Sequence, residues 1–158
     1  MPSIGSQPSG FAKATVLWLA ILAGGTALAH EDAVGITADR MQLMKDMASH
    51  MKTLGEMLEG RLAYDAAAAH EDALALHATC HQVAREFPEG THDHHSRASP
   101  AIWQQPEKFS AQMDNLQRSV GELVAATVSG HRDLVRSRFV DVGRACTSCH
   151  ERFRLPDG

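Results

Sequence analysis

One short stretch near the C-terminal end constrains this chain more than any other: Ala145-Cys146-Thr147-Ser148-Cys149-His150. Cys-x-x-Cys-His is the attachment signal for a c-type haem. The two thiols form thioether bonds with the haem vinyl groups, and the adjacent imidazole binds the iron as proximal ligand. On a helix, Cys146 and Cys149 stand at i and i+3, and His150 at i+4 from Cys146. All three then project from one face, so one helix can hold the ring edge and the iron together. The spacing therefore predicts one covalent haem c per chain, held on a helix. A thioredoxin-like Cys-x-x-Cys would instead follow a strand, at a helix N-terminus that lowers the thiol pKa. A structural zinc site needs four ligands, and the only other cysteine is the isolated Cys80.

At the other end, residues 1–29 read as a secretory signal peptide. Lys13 supplies the positive flank, Ala14 to Ala23 the apolar core, and Ala27-Leu28-Ala29 the A-x-A cleavage site. The core is short for a membrane span, which needs about 20 apolar residues. The mature chain is expected to start at His30, with residues 30–158 forming one domain around one core. Export to the periplasm suits the chemistry, because c-type haem is attached outside the cytoplasm. The formal net charge of −4 leaves no case for nucleic-acid binding. Cys80 is left over after haem attachment, and reads most simply as a small buried hydrophobe.

No stretch alternates cleanly with period two, so the chain reads as all helix. Helix one is expected from about Ala38 to Leu58, N-capped by Thr37 and ended by Gly60. Its seam is Met41, Met44, Met47, Met51, Leu54 and Leu58, in steps of three and four. Helix two runs from about Ala66 to Arg85, capped by Asp65, with Ala69, Ala73, Leu76, Cys80 and Val83 inward. A long polar connection, Glu86 to Pro106, follows. Helix three runs from about Glu107 to Val128 and helix four from about Arg132 to Phe153, with Ser129-Gly130 as a tight turn between them. The fold class is an antiparallel four-helix bundle, and the long connection is the crossover between its two hairpins.

A haem fixed on the last of four helices resembles the cytochrome c′ family, the class II c-type cytochromes. The most specific piece is Val142 to Arg154. Tyr64-Asp65-Ala66-Ala67, Phe87-Pro88-Glu89-Gly90-Thr91 and Ser99-Pro100-Ala101-Ile102-Trp103 support it. The resemblance implies a bundle that is often dimeric, with haem between its helices. It also implies that Arg40 pairs with a haem propionate, which charge-assisted bonding favours, and that Arg154, at i+4 from His150, is the basic residue on the proximal side.

Met44 lies one turn beyond Arg40, at the family position facing the distal side of the haem. In low-spin relatives a methionine here binds the iron; in high-spin members the sixth site stays open. Leu43-Met44-Lys45-Asp46 resembles the low-spin group, whereas Arg40 is typical of the open-site group. The expectation is coordination by Met44 beside His150, hence a one-electron carrier that meets redox partner proteins and has no catalytic constellation of its own. The alternative is a five-coordinate haem that takes NO or CO. A third reading, a periplasmic copper-handling or metal-binding helical protein, rests on His92, His94 and His95 in the loop, on His70, His77 and His81 of helix two, and on the helix-one methionines. The bundle-seam spacing of the methionines and the polar setting of the loop histidines argue against it.

Overall fold

The computed structural model describes residues 34–93 and 95–156; the expected signal peptide and His94 lie outside them. Five helices form among the described residues: α1 (Ile36–Glu59), α2 (Ala66–Val83), α3 (Ala101–Gln104), α4 (Pro106–Val128) and α5 (Arg132–Phe153). The four long ones make the bundle, with α2 packed between α1 and α4, and α5 against α4. The expected inner stripe of α2 is fully buried from Ala69 to Val83. It meets Leu54 and Leu58 of α1, Leu116, Val120 and Leu123 of α4, and Val135 and Val142 of α5 in one core.

The helix ends follow local chemistry, with one correction. Asp65 caps α2 as expected, its carboxylate accepting from the Ala67 and Ala68 amides at 2.8 and 3.0 Å. Pro106 occupies the first turn of α4, where no amide is missed. Gly60 closes α1 at φ +83°, a left-handed conformation that costs glycine nothing. Thr37, however, is not the N-cap of α1. The carbonyl of Gly35 (φ +58°) already accepts the Asp39 amide at 3.0 Å, so the helix starts earlier and Thr37 is buried in its first turn.

The long connection is more ordered than its composition suggests. It carries α3, and its strand-like Ala98 pairs with Arg154 beyond α5. Ser99 donates its amide to the Phe153 carbonyl at 2.9 Å, and Leu155 donates to that of Arg97 at 2.8 Å. The connection is thereby laced to the end of the haem-motif helix.

α1 and α5 run antiparallel and meet chiefly at one end. There the guanidinium of Arg132 donates to the carbonyl of Met57 at 2.9 Å, and Arg136 donates to that of Leu58. No basic residue stands in the last turn of α1, so these arginines of α5 complement its negative end. Just inside, Phe139 packs against Gly55, where an added Cβ would lie 3.2 Å from the ring. A side chain as large as leucine reaches further than a Cβ and would have to displace the Phe139 ring. Gly55→Leu is expected to destabilise the protein by about 1–3 kcal/mol despite leucine's better helix propensity; urea unfolding would show a lower midpoint than the parent. At the opposite end the two helices part and a cavity opens.

Candidate haem-binding site

The cavity, about 420 Å³, lies between the N-terminal half of α1 and the C-terminal half of α5. Arg40, Met41, Met44, Lys45 and Ala48 form one wall. Cys149, His150, Phe153 and Arg154 form the other, and Phe87, His95, Ser96, Arg97, Ala98, Ile102 and Phe109 close it from the connection and α4. Arg40, Met44, Cys149, His150 and Arg154, all singled out in the sequence, therefore surround a single space. Cys146 is not on its lining. It sits one turn back on α5, half-buried against the core.

The phenylalanines explain how an apolar slot forms here. Phe87 meets Phe109 edge-on with centroids 5.0 Å apart, and Phe109 meets Phe153 at 5.3 Å. This chain of rings joins the connection, α4 and α5 and gives the cavity its apolar floor.

Arg40 is 4 % exposed and already has protein partners. Its Nε donates to the Glu86 carbonyl, its Nη1 to the Thr91 carbonyl at 3.0 Å, and its Nη2 to the Thr91 hydroxyl. The guanidinium also lies over the rings of Phe87 and Trp103, at 4.8 and 5.6 Å. Burial lowers its pKa, opposed by the carboxylates of Glu86 and Asp93. Arg40 thus pins the start of the long connection to α1, a role its sequence position did not suggest. A guanidinium has five N–H donors, so the three bonds leave capacity for a carboxylate in the cavity. Arg40→Ala is expected to cost about 1.5–3 kcal/mol, the range for hydrogen bonds made by a charged group. Urea unfolding of the haem-loaded variant would measure the loss, and an unchanged midpoint would mean that the connection is held without Arg40.

The thiols differ from those of a redox Cys-x-x-Cys. Burial, then the neighbouring Cys146, pushes Cys149 up to about 11, and burial raises Cys146 as well. Neither is a stabilised thiolate of the thioredoxin kind, whose pKa is lowered. Burial lowers the pKa of His150, and the positive charges of Arg154 and Arg97 lower it further. The imidazole is thereby kept neutral, the form that binds a metal. Its carbonyl accepts the Arg154 amide at 3.0 Å, closing the last turn of α5.

The donor set fits a haem. One wall offers a thiol and a neutral imidazole, and the facing wall offers two thioethers. An apolar floor suits the macrocycle, and Arg40, Lys45, Arg97 and Arg154 supply positive charge for two propionates. Sequence reasoning assigned Met41 to the bundle seam and did not single out Lys45 or Arg97. Met41 stands three residues before Met44 and four before Lys45, and that spacing was the available signal.

A helical bundle with a Cys-x-x-Cys-His helix bordering an apolar cavity defines a class II c-type cytochrome. The comparisons with known proteins agree. Residues 36–154 match the family model described as Cytochrome C′, and the chain belongs to the cytochrome c′ family. Cytochrome c-554 of Cereibacter sphaeroides is 33 % identical over 122 residues, covering 75 % of this chain and 79 % of that protein. Cytochrome c′ of Alcaligenes xylosoxydans xylosoxydans is 31 % identical over 124 residues, covering 78 % and 94 %. A solved nitric oxide complex of a cytochrome c prime mutant from Alcaligenes xylosoxidans superposes with a TM-score of 0.74 at 28 % identity, covering 77 % of this chain and 94 % of that one. The family is one of covalent haem c proteins that carry electrons or bind small gases.

Proposed function

We propose that this chain is a periplasmic one-electron carrier, exported through residues 1–29 and starting at His30, with a single haem c held by Cys146 and Cys149. His150 is the proximal iron ligand and Met44 the distal one. The observation that carries the reading is that Met44 on α1 and His150 on α5 border the same cavity from facing helices. Bound haem supplies a one-electron iron couple, and a thioether ligand raises its potential. The chain's own residues do the rest. Cys146 and Cys149 tether the ring edge, His150 stays neutral, and Arg40 and Arg154 offset propionate charge. The phenylalanine chain excludes water. Among the described residues no helix is long and apolar enough to cross a membrane. In this reading the carrier leaves the membrane after signal cleavage and docks on redox partner proteins. Pairing of two copies is part of the same reading, by family likeness.

Binding of NO or CO is the second reading, favoured by the nitric oxide complex among the solved relatives. The cavity wall near Met44 includes Met41 and Ala48, which offer a neutral diatomic no hydrogen bond. Lys45 stands among them, however, so the wall is not wholly apolar as a bare methionine seam would be. Spectra of the purified native protein separate the readings, and its intact mass tests processing. A low-spin spectrum in both oxidation states, slow CO uptake and a mass equal to residues 30–158 plus one haem are expected. A high-spin spectrum with prompt CO binding would favour gas binding, and a mass retaining residues 1–29 would overturn cleavage before His30.

A further inference from the structure

We propose that His77 and His81 on α2 chelate one divalent transition-metal ion of the imidazole-binding kind, such as Zn²⁺, at a site separate from the haem cavity. The two residues are one helical turn apart, and their Nε2 atoms lie 3.3 Å from each other. Two ligands of one tetrahedral zinc ion, each at about 2.0–2.1 Å, stand about 3.3–3.4 Å apart. The pair is therefore already set at the bite of a single ion. The rings meet edge-on, with centroids 4.6 Å apart. In a hydrogen bond between them, one Nε2–H would point at the other ring's lone pair. When that proton sits on Nδ1 instead, both Nε2 lone pairs are available to a metal.

The surroundings leave room for the ion and its waters. His81 is exposed and His77 half-buried. Across from His77, α4 presents Gly121, where an added Cβ would lie 3.9 Å from the His77 Nε2. The absence of a side chain there keeps that approach clear. The other histidines of this region are engaged: His70 Nδ1 bonds the Thr127 hydroxyl at 2.8 Å, and His50 Nδ1 bonds Asp72 at 2.8 Å. No group of three or more His, Cys, Asp or Glu side chains that could hold a metal occurs among the described residues. The site is thus a two-histidine chelate completed by water, a weaker and exchangeable class than a structural zinc centre.

The test is calorimetric titration of ZnCl₂ into the haem-loaded protein at about pH 7.5, with the haem spectrum recorded throughout. One ion per chain is expected, with the spectrum unchanged. His81→Ala, which alters an exposed position, and His77→Ala should each weaken binding at least about 10-fold, the smallest loss typical of residues that merely support a metal ligand. A loop variant, His92→Ala, should keep the parent affinity. The proposal fails if the parent takes up no zinc, if His81→Ala retains the parent affinity, or if the loop variant abolishes binding.

Discussion

The double variant Cys146→Ala/Cys149→Ala is expected to release all of its haem into acidified organic solvent, whereas the parent retains it on the polypeptide. Each single variant should yield much less stable haem-loaded protein than the parent. The two positions are not equivalent. Cys149 borders the cavity beside His150, while Cys146 lies one turn back, packed against the core. In the single variants only one thioether anchors the ring edge, and His150 must hold the iron with less restraint on the plane of the macrocycle. Cys80 provides the control. It is wholly buried on α2, and burial followed by the neighbouring Cys146 pushes its thiol up to about 12. Such a thiol is a small hydrophobe rather than a nucleophile. Cys80→Ala should keep its haem covalently bound and lose only packing stability. Free extraction of haem from the parent would overturn covalent attachment, and loss of attachment in the Cys80 variant would show that the wrong cysteines had been assigned.

What could be read from the sequence divides along a physical line. Features set by neighbours three or four residues apart were legible: the Asp65 cap, the Ala69-to-Val83 stripe, the Gly60 stop, and the grouping of Cys149 and His150 on one helix, although Arg154 lies just past its end in extended backbone. Features set by partners distant in the chain were not. Arg40 bonds the backbone of Glu86 and both the backbone and hydroxyl of Thr91; carbonyl partners leave no trace in side-chain pattern. The close approach at Gly55 depends on Phe139, which reads merely as one more seam residue. The four-residue α3 carries too little periodicity to register. It is positioned by Trp103, whose indole donates to the Pro88 carbonyl at 2.8 Å, and by the pairing of Ala98 with Arg154. Thr37 misled because threonine before a periodic run is a good cap, whereas Gly35, at positive φ two residues earlier, had already begun the helix.

Met44→Ala is expected to convert a low-spin protein into a high-spin one that binds CO readily. Met44 and Arg40 stand one turn apart on α1, separated by about 6 Å along the axis. Arg40 is locked at the edge of the cavity by its bonds to Glu86 and Thr91, so the start of α1 is held against the connection there. Met44 is one turn deeper, half-buried and bordering the cavity that His150 borders from α5. A methionine side chain is long and flexible enough to carry its sulfur across such a space; alanine is not, and the sixth position would open. Two axial ligands limit rearrangement between oxidation states, which suits electron exchange, while an open position admits a gas. Met41 complicates the assignment, because it borders the same cavity with the same thioether. The Met41→Ala variant is therefore the necessary companion. If Met44 is the ligand, Met41→Ala remains low-spin, keeps the thioether-to-iron charge-transfer band and resists CO, while Met44→Ala loses the band. The reverse pattern would transfer the role to Met41. If the parent is high-spin and takes up CO without displacing a ligand, both methionines are packing residues, and the protein is better described as a gas-binding member of its family.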